Sequence, residues 1–493
     1  RLEITRSCLE LSPTPGFSCV GTRPLFARNL PGARTKTSAE DSAKSKWGIL
    51  LNLIVTRTLH RCRNGSAMNP TFGLGSLTNF LFRRSVAGQK TGRGVTSGSP
   101  AEIAAYVDNF SRHLGGSGSW RNHFATNLKS WVQDHGTHQQ ATEALCGQLS
   151  EVGLPIGPLR LLAAARLCGA LGLHVVSLEL EMRAWEVIES SASKAHHRDD
   201  LVQQIQVAIY RGDIPRAVNF SEKLEKALSN KQRSLFSHVD LLNYVSVWSG
   251  SATLTFPSSP GIQSKTLERW SALVAGQQLN LYGPGTVDKN QPAFPKESLV
   301  VRIAGPGSYQ WTAKNDLALG RTDVVYIIPE TLSAIGDTDL QRQEIFGGFE
   351  FVCIKRGTAS YLPNSRQVEA GSRLFLRGHP NVVPLICIDV MRVAGTSILV
   401  TGSDFFASSV AYRSDSRRVG PGGAPQDRSG SIGQSYDRST LMASHNAFEN
   451  RALVKNLHKA GRITGDDGFE KALALSDFEY AQTLDEIYGT RRC

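Results

Sequence analysis

Two patterns of apolar spacing divide the chain at about residue 265. Before that point apolar residues recur every three or four positions. "AEIAAYVDNFSRHL" places Ile103, Ala104, Val107, Phe110 and Leu114 on one helical face. "LRLLAAARLCGALG", from Leu159, is apolar nearly all round and predicts a central helix. "HRDDLVQQIQVAIYRGDIPRAVNFSEKLEKAL" predicts two helices broken at Gly212 and Asp213, a helical hairpin. From Thr266 the apolar residues come instead in short unbroken runs. "LERWSALVAGQ" predicts a helix ending at Gly276. Strands then follow in "QLNLYGPG", "SLVVRIAGPG", "TDVVYIIP", "FEFVCIKR" and "TSILVTGSDFF". "NVVPLICIDVMRVAG" has helical character, and "HNAFENRALVKNLHKAGRI" carries Phe448, Leu453 and Leu457 on one face. "SDFEYAQTLDEIYG" is a helix with Ser476 and Glu479 as a capping box.

Continuous apolar strands alternating with helices predict an α/β fold: a mainly parallel sheet with helices on both faces, Rossmann-like. The expected organisation is a disordered basic tail and linker over 1–99, a helical region over 100–264, and an α/β domain over 265–493. Residues 413–440 are Gly-rich, polar and basic, and read as a mobile loop that can act as a lid.

Charge changes the picture only at one end. The net charge is +12. Residues 1–99 hold 15 Lys or Arg against 4 Asp or Glu, which leaves the rest of the chain almost neutral. The basicity therefore belongs to a segment without periodic core signal, either a disordered extension or a basic targeting arm. It does not argue for a specific nucleic-acid partner. No stretch is apolar over the ~20 residues a membrane span needs. Eight cysteines form no C-x-x-C pair, and no histidine spacing completes a zinc set, so no metal site is expected. Cys168 and Cys387 sit in apolar runs as small core residues. A reducing, cytoplasmic setting is the expectation.

Ligands of parallel α/β sheets bind beyond the carboxyl ends of the strands. Those ends are the loops at Tyr282–Asp288, Arg302–Tyr309 and Gly402–Ala407. Gly283 and Gly285 make either a plain tight turn or a place where the backbone approaches a nucleotide phosphate. Arg302 can pair with a phosphate bidentately or form a structural ion pair. Thr322, just before a strand, and Gly402, Ser403 and Asp404, at a strand end, are polar site candidates, Asp404 with the alternative of capping a helix. His445 follows the long loop and has the right intrinsic basicity for a general base, with Asn446 placed to orient a substrate hydroxyl.

Taken in order, these segments resemble the sialyltransferase-type glycosyltransferases (glycosyltransferase family 29) over about residues 268–489. "LNLYGPG" is similar to the opening of that family's long nucleotide-binding motif. "SLVVRI" and "LGRTDVVYI" resemble its D-x-V-x-R-x-N and Gly-x-x-Thr continuation. "PLICIDVMRVAGTSILVTGSDFF" resembles its short motif, and "SHNAFEN" stands where the family carries a His. Pro284 and Ala304 replace family asparagines, and Val382, Val383 and Pro384 stand near the place of its Ser-Thr-Gly. The resemblance implies metal-independent transfer, with no cofactor, from a nucleotide sugar, possibly CMP-linked, to the hydroxyl of a glycan or other acceptor. His445 would be the base. It does not fix the sugar. The alternative is a non-catalytic α/β domain on a helical scaffold that binds a protein partner through the helical region.

Overall fold

A computed structural model of the chain describes residues 126–128, 157–170, 172–228, 236–250, 262–283, 298–304, 322–328, 338–355, 362–368, 374–376, 380–393, 395–408 and 445–488, with single positions at 332, 359 and 378. The tail over 1–99, the helix expected from residue 101, Gly285 and the loop over 413–440 lie outside the described residues.

The first described helices are α1 (Pro158–Ala170), α2 (His174–Ser190), α3 (Arg198–Arg211), α4 (Ile214–Ala227), α5 (Phe236–Ser249) and α6 (Ile262–Val274). The break between α3 and α4 has the expected chemistry. Gly212 takes φ +69, a left-handed value that suits glycine at a helix C-terminus. Asp213 then caps α4, its carboxylate accepting from Arg216 N–H at 3.0 Å.

The strands are β1 (Gln278–Tyr282), β2 (Leu299–Ile303), β3 (Val324–Ile327), β4 (Phe351–Lys355), β5 (Ser365–Val368), β6 (Ser397–Thr401) and β7 (Ile463–Gly465). Helix α7 (Asp339–Phe346) precedes β4, α8 (Val382–Met391) precedes β6, and α9 (Ala447–Lys459) precedes β7. Helices α10 (Asp467–Ala474) and α11 (Asp477–Tyr488) follow. Among the described residues these seven strands form one parallel sheet in the order β5-β4-β3-β2-β1-β6-β7. The five strands expected from apolar runs are β1, β2, β3, β4 and β6. Strands β5 and β7 are the two edges. The capping box of α11 is present: Ser476 N–H donates to Glu479 and Glu479 N–H to Ser476.

The sheet is covered on both faces. On one face Leu281, Val301, Val324, Phe351, Ile398 and Val400 share a hydrophobic cluster with α6, α8, α9, α10 and α11. The same cluster takes in Leu178, Leu201, Ile205, Phe220 and Leu241 of the preceding helices. Those helices are also pinned to α9: Tyr244 donates to Leu453 O at 2.8 Å, and Asn456 donates to Ile209 O at 2.6 Å. On the opposite face Val325, Ile327, Val352 and Ile354 pack against Phe346 of α7.

A polar group is buried within the larger cluster. Tyr326, Cys353 and Arg366 stand side by side on β3, β4 and β5. Arg366 pairs with Asp389 of α8, which also accepts from the Tyr326 hydroxyl at 2.6 Å. The guanidinium lies 3.9 Å above the Trp270 ring of α6. Burial, with the Asp389 charge beside it, raises the Tyr326 hydroxyl well above its ordinary value. Burial likewise pushes the Cys353 and Cys387 thiols up to about 12, leaving both protonated. Cys168, Cys353 and Cys387 are all buried.

Candidate functional site

The strand order fixes where a ligand cleft belongs. From β1 the chain steps outward through β2, β3, β4 and β5, then crosses back to place β6 on the other side of β1. The direction of winding reverses between β1 and β6. In open parallel sheets the crevice forms there, beyond the carboxyl ends.

Two glycines meet at that point. Gly283, just past β1, donates its N–H to Thr401 O at 2.7 Å. A side chain at Gly283 would put its Cβ 2.5 Å from Gly402 O and 2.9 Å from the Cβ of Ser403. Only a bare backbone fits. Gly402 takes φ +68 and donates its N–H to Asp466 at 2.6 Å. The other oxygen of Asp466 caps α10 through Phe469 N–H at 2.9 Å, and its own N–H donates to Val400 O at 3.0 Å. Asp466 thus ties the end of β6 to the start of α10. Its signal in the sequence is local: "GDDGFEKALA" is an Asp cap before a helical run.

Ser403 is buried and Asp404 half-buried in the loop that follows. Asp404 folds that loop onto itself. Its carboxylate accepts from Phe406 N–H at 3.0 Å and from the Ser408 hydroxyl, and its carbonyl accepts from Ala407 N–H. It caps a tight turn and not a helix. Phe405 and Phe406 are both left-handed, at φ 50 and 69, which is unfavourable for bulky side chains. The C-terminal helices hold them there. Tyr480 donates to Phe405 O at 2.5 Å, the Phe405 ring packs on Phe469 of α10, and the Phe406 ring meets Tyr488 edge-on.

Arg302 stands in the same row. Thr401, Tyr282 and Arg302 are register partners on β6, β1 and β2, so their side chains share one face at the carboxyl end. All three are buried, and the Arg302 guanidinium lies 5.8 Å from the Tyr282 ring centroid. Thr322 is not part of this group. It precedes β3, and in a parallel sheet the residues before a strand lie at the amino ends. The length of the strands separates it from the glycines. The neighbouring Asp323 is used structurally there, accepting from Val300 N–H at 2.8 Å.

His445 and Asn446 open α9. That helix runs back to feed β7, so its N-terminus lies at the carboxyl edge of the sheet. So does the start of α8, where Lys355 at the end of β4 donates to Pro380 O at 2.8 Å. His445 is half-buried. Asn446 is fully buried in an unusual backbone conformation, φ 47, and its amide is used within the protein. It accepts from Glu449 N–H as the cap of α9 and donates to Glu181 of α2 at 3.3 Å. The amide expected to orient a substrate hydroxyl is engaged instead with Glu181 and Glu449 of the protein itself.

A buried acidic group backs this corner. Glu181 and Glu449 are both fully buried, and Tyr210 of α3 lies against them. Burial first, then the Glu449 charge, holds the Tyr210 phenol protonated. The phenol donates to Leu374 O at 3.1 Å and accepts from Leu376 N–H. Neither carboxylate nor Gly378, packed against His445, was singled out from the sequence. Among the described residues no group of three or more His, Cys, Asp and Glu is placed to hold a metal ion, and no helix is long and apolar enough to cross a membrane. The sequence matches no protein-family model and no curated protein, and no solved structure matches the fold.

Proposed function

We propose that this chain is a glycosyltransferase that moves a sugar from a nucleotide-sugar donor to an acceptor hydroxyl. The observation that carries the reading is the junction of Gly283 and Gly402 where the winding of the sheet reverses. There bare backbone brings the ends of β1 and β6 together at the mouth of the crevice, and Arg302 supplies a positive charge on the neighbouring strand. The resemblance to sialyltransferase-type enzymes gives the chemistry. The acceptor oxygen attacks the anomeric carbon of the donor as its proton passes to the His445 imidazole. The bond from that carbon to the phosphate oxygen breaks, and the nucleotide leaves with the electron pair. The Arg302 guanidinium is matched to the charge that grows on the leaving phosphate.

The test has two arms. Cytidine and uridine nucleotides and their sugar conjugates are screened for a rise in melting temperature, which a ligand at 100 times its Kd produces through about 2.7 kcal/mol of stabilisation. Transfer to mixed glycan acceptors is then followed for the wild-type chain and for His445→Ala. A positioned base is worth ~10²–10⁴-fold, so His445→Ala should lose that much turnover and keep the nucleotide-induced shift. No shift with any nucleotide at millimolar concentration would favour a non-catalytic scaffold. Undiminished turnover in His445→Ala would take this residue out of the reaction.

A further inference from the structure

We propose that Asn450 is a positioning residue that sets the place of His445, with Gly378 as the surface against which it is set; this rests on the reading of His445 as the base. Asn450 lies one turn into α9 and is buried. Its carboxamide bridges two chain segments. The oxygen accepts from Asn381 N–H at 2.6 Å, at the start of α8. The nitrogen donates to the carbonyl of His445 and, at 2.8 Å, to the carbonyl of Asn446. One acceptor and two donors, in that arrangement, is the inventory of an amide. Aspartate has no donor for the two carbonyls.

The same His445 carbonyl is closed in by Gly378. A Cβ at Gly378 would lie 2.8 Å from His445 O and 3.0 Å from the Cβ of Asn446. The Gly378 N–H donates to Glu449 at 3.3 Å. The carbonyl of the base is thus held by Asn450 and packed against a glycine that leaves no room for a side chain. Asn446, at φ 47, supplies the bend that turns the chain from His445 into the helix. Lys355, donating to Pro380 O, ties the same segment to the end of β4. The position of His445 is therefore referenced to the carboxyl edge of the sheet through Asn450 and Asn381.

The experiment uses the full chain with isotope-labelled histidine. The His445 ring resonance is assigned by its loss in His445→Ala. Three variants are compared: Asn450→Asp, Gly378→Ala and, as a control, Asn456→Asp. Asn456 is also a buried amide of α9, but it donates to Ile209 O, away from His445. Asn450→Asp and Gly378→Ala are expected to move the His445 ring resonance by more than its line width. Each should lower kcat by about 10²-fold with the donor KM within twofold, the scale of a misplaced reacting group. Asn456→Asp should lower the melting temperature and leave the His445 resonance unmoved. If Asn450→Asp does not fold, Gly378→Ala decides the matter. An unmoved resonance in the folded variants, or a loss confined to donor KM, overturns the proposal. A wild-type chain that transfers no sugar overturns the transferase reading, and the resonance then still decides whether Asn450 fixes His445.

Discussion

Two amides at the start of α2, those of His174 and Val175, point at the carboxylate of Asp485 on α11, at 2.5 and 3.1 Å. Such bonds favour the ionised form, but burial outweighs them and, with Glu486 nearby, lifts this carboxyl from its ordinary 3.8 to about 7. Between those values the folded chain holds a proton that the unfolded chain has released. This contribution to stability is therefore complete below about pH 4 and is lost as the pH rises to about 7. Chemical denaturation of the wild-type chain and of Asp485→Asn across that range should show the slope in the first and a flatter profile in the second. The variant should be weaker by about 1 kcal/mol at pH 5, where it lacks one of the two accepted bonds. Gly283 offers a different test. Gly283→Ala sets a methyl 2.5 Å from Gly402 O, a contact that must push the ends of β1 and β6 apart. Thermal melts should register a loss of about 1–3 kcal/mol, the usual range for overpacking. Any nucleotide-induced rise in melting temperature should vanish with it. A variant that keeps both its stability and that rise would mean that the junction does not hold the ligand.

The elements readable in the sequence are those whose two faces are both buried. Strands β1, β2, β3, β4 and β6 announce themselves as apolar runs because each lies between two layers of helix or beside other strands. Strand β5, "SRQV", has no such run, and of its two buried side chains, Arg366 and Val368, one is charged. A buried arginine is legible only with its partners, and Asp389, Tyr326 and Trp270 come from three other elements. Strand β7 is three residues long, below any periodic signal. The same limit explains the site. Gly283, Gly402, Ser403 and Asp404 could be placed because glycines and polar residues at strand ends are a local pattern. Thr322 is legible as a residue just before a strand, but its distance from the glycines follows from strand direction, and the partners of Asn446, which come from α2 and α9, are not a local pattern. Removing one partner from the β5 group should be costly: Asp389→Ala leaves the Arg366 charge buried, for which ~3–5 kcal/mol is usual. An Arg366→Met, Asp389→Leu double variant should recover much of that loss in urea denaturation. At the end of β6, Tyr480→Phe removes the hydroxyl that holds Phe405 and should cost about 1 kcal/mol. Amide exchange over residues 402–407 should quicken in that variant while the β1 and β2 amides stay protected.

At the scale of the whole molecule, the helices before residue 265 are not an appendage. Leu201, Ile205 and Leu241 belong to the same hydrophobic cluster as Leu279, Val301 and Ile398. A chain beginning at residue 265 should therefore expose that surface and aggregate or bind hydrophobic dye. The longer chain should lose its helical and tertiary signals in one transition. A stable, monomeric fragment from 265 onward would refute this. The sheet order has a second consequence, felt before the protein is finished. β1 takes β2 as one neighbour, with Leu279 beside Leu299, but its other neighbour is β6, where Gln278 pairs with Ser397. The ribosome adds ~5–20 residues per second, so on the order of ten seconds pass between making the two. Throughout that interval an interior strand of the finished sheet is an open edge, with Leu279 and Leu281 available to any other nascent chain. The yield of native protein in the cell then depends less on its final stability than on how quickly residues 397–401 arrive, and on whether a chaperone shields β1 until they do.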